Sequence, residues 1–214
     1  MLKIKCFTVN SFGENCYIIS DESEEAVIID DGAVGVEHTA IDRYIKENHL
    51  VPKLMLCTHA HFDHTMGCFD IYRKYQLKPQ MNQKDFGLYT DLHAQVESFL
   101  GQVKISIETA PIGEALYEGQ KIHFGNHNID VIETPGHTLG GVCLYCSSEN
   151  ILFSGDTLFR HSIGRTDFPG GDYNTLITAI KSKLFSLPDN TIVYPGHGEE
   201  TTIYEEKHYN PFLI

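Results

Sequence analysis

The chain has 214 residues, of which 42% are hydrophobic and 21% are charged, so it contains enough apolar material for one sizeable core. Its 16 Lys and Arg against 29 Asp and Glu give a formal net charge of −13. Because nucleic-acid backbones are held by clustered basic residues, this charge excludes nucleic acid as the expected substrate or partner. No apolar run approaches the roughly 18 residues of a membrane span, and the N-terminus has no signal-peptide pattern, so we expect a soluble cytoplasmic protein without a membrane partner.

The first half of the chain is predicted to form a strand meander, followed by helices and one buried strand. The strands are indicated by apolar runs that end at turn residues, Gly32 among them. The helices are indicated by apolar residues that recur at a spacing of three and four. The predicted strands are 2–9, 15–20, 26–30 and 54–57, and the predicted helices are 36–45, 65–75 and 83–100.

The second half is predicted to begin with another sheet. Short strands broken by turns occupy residues 115–155. A helix is predicted at 176–187, with its cap near Asp172, and a strand at 191–194 leads into a polar tail. Strands enclosed by helices predict a layered α/β fold, and the absence of a linker-like stretch predicts a single domain over residues 1–214.

The six cysteines are expected to be reduced, because a chain of this length does not need disulfides for its stability. Cys143 and Cys146 form a C-x-x-C pattern, for which a redox or zinc-binding role is the alternative. A redox motif of this kind opens a helix, whereas this pair lies in a predicted strand. Positions i and i+3 of a strand point to opposite faces, so we expect that the two thiols do not chelate one ion.

The segment 58–64 carries the strongest chemical signal in the sequence. Directly after a buried strand it contains His59, His61, Asp63 and His64. A solvated loop that is rich in histidine is the alternative interpretation. Three buried imidazoles would each need separate hydrogen-bond partners, whereas one metal ion satisfies several of them at once. Neutral imidazole and carboxylate are suitable ligands for zinc, iron or manganese.

Three other predicted strands are each followed by a small-residue turn and then by a side chain that can bind a metal. These side chains are His137, Asp156 and His197. Each of them taken alone has a structural alternative. Because sites in α/β folds gather beyond the carboxyl ends of strands, we expect all three to converge with the histidine-rich segment on one cleft.

Together these segments offer seven candidate ligands: His59, His61, Asp63, His64, His137, Asp156 and His197. Seven are too many for one tetrahedral ion, but they fit two divalent ions that share a bridging group. A carboxylate can bridge with its two oxygens, and Asp156 is the natural choice. We expect two zinc ions, with iron or manganese as alternatives. The remaining histidines are expected at the surface, with His161 set apart because its loop follows Asp156: His38, His49, His93, His123, His127, His161 and His208.

The order His-x-His-x-Asp-His, His, Asp, His resembles the metallo-β-lactamase-fold superfamily over nearly the whole chain. The resemblance implies a four-layer αββα sandwich with a dinuclear site at one edge of two sheets. It also implies that the first ion is held by His59, His61 and His137, the second by Asp63, His64 and His197, and that Asp156 bridges them. True β-lactamases of this fold lack the bridging aspartate, so the resemblance argues against antibiotic hydrolysis.

The segment 164–171 resembles the glyoxalase II group, which hydrolyses S-acyl glutathione thioesters, and specifically its short relatives. Arg165 lies where that group has a basic residue that contacts glutathione, which implies a substrate-binding role. Asp167 replaces a usual aromatic residue, and Asp31 replaces a usual proline. Too few residues follow His197 for the helical C-terminal domain that supplies further glutathione contacts, so we expect glutathione to bind weakly.

Two other functions stay open. The Gly-Arg-Thr-Asp-Phe string also resembles the persulfide dioxygenases, which use one iron to oxidise a glutathione persulfide, although the segment 195–198 differs from theirs. A metal-binding domain without catalytic activity is the third interpretation. For the favoured hydrolase, a hydroxide shared by two ions is the expected nucleophile, and Asp63 is expected to guide the proton. Asp30 is either a carboxylate that orients a ligand histidine or a plain turn residue.

Overall fold

Two six-stranded β-sheets lie face to face in the computed structural model, which describes residues 1–101 and 108–214. The first sheet contains, in spatial order, β1 (Lys3–Val9), β2 (Glu14–Ser20), β3 (Glu25–Ile29), β4 (Val51–Leu56), β5 (Pro79–Asn82) and β6 (Ala115–Leu116). The other strands of the chain are β7 (Lys121–Phe124), β8 (His127–Glu133), β9 (Val142–Cys146), β10 (Ile151–Gly155), β11 (Leu158–Phe159), β12 (Ser162–Ile163), β13 (Ile192–Pro195) and β14 (Thr201–Thr202). The second sheet has the order β14-β13-β10-β9-β8-β7, and β11 pairs separately with β12.

Helices cover the outer faces of both sheets. They are α1 (Glu37–Glu47), α2 (Phe62–Thr65), α3 (Cys68–Tyr75), α4 (Phe86–Thr90), α5 (Leu92–Leu100), α6 (Tyr173–Ser182) and α7 (Ile203–Tyr209), with short 3₁₀ helices at Gln83–Asp85 and Leu184–Ser186. As expected, Asp172 caps α6, and its side chain accepts a hydrogen bond from the backbone N–H of Thr175. None of the helices that the structure describes is long and apolar enough to cross a membrane.

The strand alternation of β2 explains the four layers. Ile19 faces the second sheet and packs with residues such as Leu144. Its neighbour Ile18 points the other way and packs against the helical layer that contains Ile41. The outer face of the second sheet is covered in the same manner by α6 and α7. The layered α/β fold that the sequence predicts is therefore confirmed.

The antiparallel meander of β1, β2 and β3 is also confirmed, but several predicted boundaries are wrong. The predicted helix at 65–75 begins at Cys68, because Gly67 separates it from α2. The predicted helix at 83–100 is broken into a 3₁₀ turn, α4 and α5. The predicted polar tail in fact contains β14 and α7. These two elements bury few apolar side chains, so the sequence shows no clear apolar pattern there.

The cysteine prediction is confirmed by the arrangement of β9. All six cysteines are free thiols. Cys146 packs between the two sheets, while Cys143 packs under the helices on the outer face. Because the two side chains point to opposite faces of the sheet, they cannot hold one ion together.

The prediction that the seven remaining histidines lie at the surface is wrong for two of them. His38 and His127 are buried. His127 lies between the carboxylates of Asp21 and Glu149, at 3.0 Å from each. A buried imidazole needs partners for both ring nitrogens, and here carboxylates that are distant in sequence supply them. His161 is exposed and pairs with Glu205 at 3.0 Å.

Candidate metal centre

The candidate ligands lie beyond the ends of four strands that meet at one edge of the sheets. β4 leads through His59 and His61 into α2, whose first turn carries Asp63 and His64. The other three side chains follow β8, β10 and β13 respectively. The structure thus brings together every side chain that the sequence placed at a strand end.

Three histidines form the first group of candidate ligands. The ligand nitrogens of His59, His61 and His137 lie within 4.8 Å of one another. The Nδ1 of His61 is 2.8 Å from the Nε2 of His137. Three imidazole nitrogens are a ligand set that a catalytic metal site uses while it keeps one position open.

The second group combines a carboxylate with two histidines. Ligand atoms of Asp63, His64 and His197 lie within 4.8 Å of one another. The Nε2 of His197 is 3.2 Å from the Nε2 of His64 and 3.3 Å from a carboxylate oxygen of Asp63. This mixed set of nitrogen and oxygen donors suits zinc, iron or manganese.

Asp156 lies between the two groups. Its Oδ2 is 3.5 Å from the Nε2 of His137 in the first group and 3.6 Å from the Nε2 of His197 in the second. Its Oδ1 is 3.3 Å from the Nε2 of His64. One carboxylate therefore contacts both groups, which is the position that a bridging ligand requires.

The residues of this cluster fit a pair of divalent cations. Within the described part of the chain, the buried Nε2 of His59 and the buried Oδ1 of Asp156 have no hydrogen-bond partner. An unpaired buried polar atom costs about 1–3 kcal/mol. Two groups of three ligand atoms with a carboxylate between them would satisfy these atoms by coordination, so the donor set agrees with two ions.

Hydrogen bonds at Nδ1 orient three of the imidazoles. The Nδ1 of His59 lies 3.1 Å from the hydroxyl oxygen of Thr58, and the Nδ1 of His64 lies 3.1 Å from Asp30. The Nδ1 of His137 donates to the backbone carbonyl of Arg165 at 2.7 Å. These partners hold the ring proton on Nδ1 and leave Nε2 free as the ligand atom. Of the two interpretations of Asp30, this contact therefore supports a carboxylate that orients a ligand histidine over a plain turn residue.

Charge and burial set the protonation of the cluster. Burial lowers the pKa of His59 well below its usual value and that of His61 to about 3, so both rings are neutral. Burial opposes protonation of His64 as well, but the carboxylates of Asp156 and Asp63 raise its pKa well above the usual value. Against the effect of burial, the imidazoles, His64 foremost, lower the pKa of Asp156. The carboxylate is therefore anionic near neutral pH, and a bound cation would displace the proton of His64.

Asp31 is a buried carboxylate beside this cluster that the sequence did not assign to it. Its pKa is raised to about 6, mainly by burial. Its Oδ2 lies 3.9 Å from the Nδ1 of His38 and makes no hydrogen bond within the described residues. Ionisation of Asp31 is therefore a cost to the folded state.

Asp31→Asn should stabilise the metal-free protein at about pH 7.5, by about 1–3 kcal/mol, and have little effect near pH 4. The folded-state pKa of about 6 lies above the ordinary value of 3.8, so stability falls as the pH rises through that interval and Asp31 loses its proton. Thermal unfolding of both proteins with a chelator, across this pH range, measures the effect. Destabilisation of Asp31→Asn at pH 7.5 would show instead that an ion pair with His38 outweighs the burial.

Arg165 lies beside the cluster, but its guanidinium already has an anionic partner. Its Nε and Nη2 donate to the two carboxylate oxygens of Asp167 at 2.8 and 2.7 Å. The guanidinium also stacks over the ring of Phe168 at 3.7 Å, and this ring in turn lies 5.5 Å from the ring of His61. The basic residue that the sequence indicated is therefore near the site with its charge largely balanced.

Sequence reasoning missed two buried residues that contact the ligand-bearing segments. Asp85 accepts hydrogen bonds from the segments around His59 and His137, and Asn15 donates to the turn that carries His197. Each is separated from at least one of its partners by many residues, so no local spacing could have indicated them. Burial of a polar side chain is the signal, and only the structure shows it.

Comparison with known proteins gives the chain a family. The sequence profile of the metallo-beta-lactamase superfamily matches residues 9–197. The chain is 35% identical over 214 residues to the probable metallo-hydrolase YqgX of Bacillus subtilis (strain 168), covering 99% of this chain and 98% of that protein. It is 36% identical over 214 residues to the hydroxyacylglutathione hydrolase GloC of Haemophilus influenzae, with 99% of this chain and 98% of that protein covered.

Solved structures give the same result. The crystal structure of the BLEG-1 B3 metallo-beta-lactamase superposes with a TM-score of 0.87 at 33% identity, covering 99% of each chain. The crystal structure of TTHA1623 in a di-iron-bound form superposes with a TM-score of 0.86 at 34% identity, covering 98% of this chain and 100% of that chain. The four-layer fold that the sequence implied is confirmed by these likenesses.

Proposed function

The chain belongs to the metallo-β-lactamase superfamily, and on that premise we propose that this metallo-hydrolase is a dinuclear thioesterase that cleaves thioesters of the S-acyl glutathione type. The observation that carries the proposal is the position of Asp156, whose carboxylate contacts both groups of candidate ligands. The name of the GloC relative supports the choice of thioester.

A first ion would be held by His59, His61 and His137 and a second by Asp63, His64 and His197. The carboxylate of Asp156, which contacts both groups, would be their shared ligand. Bound at these residues, divalent ions supply a water molecule acidic enough to ionise near pH 7 and a positive charge for the carbonyl oxygen of the substrate. Zinc is the proposed metal, and iron is the alternative that the di-iron form of TTHA1623 supports for this chain.

The side chains orient the reactants. Burial opposes ionisation of Asp63, but the imidazole of His64 lowers its pKa, so the carboxylate is ionised near neutral pH and can orient the attacking water by accepting its hydrogen bond. The ring of Phe168 lies against His61 and forms an apolar wall on that side of the cleft. This wall limits the access of bulk water to the ring of His61.

The proposed activity is tested directly by thioester cleavage. We expect the zinc-, iron- or manganese-loaded protein to hydrolyse a 2-hydroxyacyl glutathione thioester without consuming oxygen, and the chelated protein to be inactive. Oxygen uptake with glutathione persulfide, measured on the same iron-loaded sample, tests the dioxygenase alternative. Fast oxygen uptake without thioester cleavage by any loaded form would replace the hydrolase with a dioxygenase.

Hydrolysis of β-lactams is a second candidate, because the similar BLEG-1 protein is called a B3 metallo-beta-lactamase. The presence of Asp156 between the two groups favours the thioesterase, since the family resemblance implies that true β-lactamases lack an aspartate at this position. A chromogenic cephalosporin, assayed with the zinc-loaded protein beside the thioester, distinguishes the two. Cleavage of the cephalosporin alone would favour a lactamase.

Asp167→Ala should lower the KM for S-acyl glutathione by about 2- to 5-fold while kcat stays unchanged. The reason is that Asp167 competes with a substrate carboxylate for Arg165, and an exposed ion pair of this kind is worth about 0.2–1 kcal/mol. Arg165→Ala should raise the KM for S-acyl glutathione, because we propose that Arg165 binds a carboxylate of this substrate. Steady-state kinetics with a neutral S-acyl thiol provide the control, because neither variant should change that KM.

If Asp167→Ala raises the KM for the glutathione thioester instead, the carboxylate of Asp167 supports the substrate-binding conformation rather than competing with the substrate.

A further inference from the structure

Each group of candidate ligands takes its members from both halves of the chain. The first group joins residues that follow β4 to His137, which follows β8. The second joins Asp63 and His64 to His197, which follows β13. Because β4 belongs to one sheet and β8 and β13 to the other, the geometry of each group depends on what ties the two sheets together at this edge.

Asp85 ties the two segments of the first group. Its Oδ2 accepts hydrogen bonds from the backbone N–H of Ala60 at 3.1 Å and from the hydroxyl of Thr138 at 2.8 Å. Its Oδ1 accepts a hydrogen bond from the backbone N–H of Gly140 at 2.7 Å. Ala60 lies between two candidate ligands and Thr138 follows the third, so one carboxylate holds the main chain on both sides.

The chemistry of this contact requires a carboxylate. Asp85 is buried, and three donors converge on its two oxygens. An ionised carboxylate has only acceptors, whereas an amide would direct N–H groups at one or more of these donors. Gly140 approaches so closely that a Cβ there would lie 2.7 Å from the Cγ of Asp85.

Asn15 ties the second group. From β2, its Nδ2 donates to the carbonyls of Pro195 at 3.2 Å and Gly198 at 3.0 Å. Its backbone N–H donates to the carbonyl of Gly196 at 2.8 Å. These acceptors flank His197 on both sides, so Asn15 of the first sheet contacts the turn before and after this candidate ligand.

The turn needs such support because few hydrogen bonds to the ring of His197 fix its position. In the part of the chain that the structure describes, its Nε2 lies near other candidate ligands, while its Nδ1 makes no hydrogen bond. Tyr17 adds one more contact to the turn, since its hydroxyl donates to the carbonyl of Pro195 at 2.6 Å. The position of the imidazole is therefore set by the main chain, and the main chain is held from β2.

From these contacts we propose that Asp85 and Asn15 are positioning residues, each of which holds one group of ligands in place across the two sheets: Asp85 the first group and Asn15 the second. The inference rests on the proposed dinuclear function. Neither side chain touches a ligand atom, and each acts through the backbone of the segments that carry the ligands. Loss of either tie lets the two halves of one group separate, while the other group keeps its own tie.

Two isosteric substitutions test this selectivity. Asp85→Asn introduces donors among donors, and Asn15→Asp introduces an acceptor among carbonyl acceptors. Zinc affinity is measured by competition with a chromophoric chelator, in a His197→Ala background that leaves the first group intact and in a His137→Ala background that leaves the second intact. We expect Asp85→Asn to weaken the ion of the first group by about 10- to 100-fold and to leave that of the second within about 3-fold, and Asn15→Asp to do the reverse.

Matched controls are available elsewhere in the fold. Asn210 is buried and its Nδ2 donates to the carbonyl of Ser162 and the carboxylate of Glu206, so Asn210→Asp likewise replaces a buried donor by an acceptor, in a more demanding setting away from the cluster. Asp21 is a buried carboxylate that accepts several hydrogen bonds, so Asp21→Asn repeats the chemistry of Asp85→Asn. Both controls should leave the affinities of the two ions unchanged, even where they lower the unfolding temperature.

If an isosteric variant does not fold, as judged by circular dichroism of the metal-free protein, milder variants replace it. Tyr17→Phe removes one contact to the turn of the second group, and Thr138→Val removes one donor to Asp85. They should show the same selectivity with smaller changes in affinity. Equal weakening of both ions by either variant, or no weakening, would overturn the positioning role.

This outcome can be told apart from failure of the proposed function. If the native protein binds fewer than two zinc ions, both the dinuclear proposal and the positioning roles are wrong. If it binds two and the variants lose them without selectivity, only the positioning roles are wrong. The affinities do not depend on which substrate the enzyme cleaves.

Discussion

Asp156→Ala should retain at most one metal ion per chain and lose thioester hydrolysis by about 10³-fold. The carboxylate of Asp156 lies 3.5 Å from the Nε2 of His137 and 3.6 Å from the Nε2 of His197. Its removal therefore leaves no anionic side chain between these two histidines. Two cations would then face each other with only solvent between them, and their repulsion would expel one. Elemental analysis of the purified protein counts the ions.

Asp156→Asn is the matched variant, because it keeps the size of the side chain and removes its charge. We expect it to bind the second ion more weakly than the native protein and more tightly than Asp156→Ala. Full occupancy of two ions in Asp156→Ala would mean that the bridge is wrongly assigned.

Asp30→Asn should destabilise the metal-free protein by about 2–5 kcal/mol and weaken metal binding by about 10- to 100-fold. The carboxylate of Asp30 accepts hydrogen bonds from the backbone and the hydroxyl of Thr58, both at 2.7 Å, and lies 3.1 Å from the Nδ1 of His64. An amide would place its own N–H groups against these donors. The backbone of Asp30 has φ of 50°, a region that Asn tolerates, so the substitution isolates the loss of the carboxylate.

Chemical denaturation and chelator competition measure the two effects. Asp31→Asn is a sharp control, since it changes the next residue in the same manner and is expected to stabilise the metal-free protein at about pH 7.5. The two substitutions are expected to change the stability in opposite directions because the partners of the two carboxylates differ. Asp30 has three donors, whereas Asp31 has an oxygen without a partner in the described part of the chain. Equal destabilisation by both substitutions would contradict this account.

The sequence by itself determined the layered fold and the set of side chains from which a metal centre could be built. The apolar run in β2 and the helical spacing in α1 are local patterns, so they are visible without a structure. The convergence of His137, Asp156 and His197 was also predictable, because each follows a strand and strand ends in this kind of fold meet at one edge.

Only the tertiary structure decided which residues hold the candidate ligands in place and which residue pairs with Arg165. Asp85 and Asn15 act through partners on other elements of the fold. The pairing of Arg165 with Asp167 depends on loop conformation, which composition does not report.

Burial of His38 and His127 and the folding of the tail into β14 and α7 likewise depend on distant contacts. A residue's type and spacing show which chemistry it can perform. Its hydrogen-bond partners are set by the packing of one sheet against the other, and that packing brings together residues far apart in the chain.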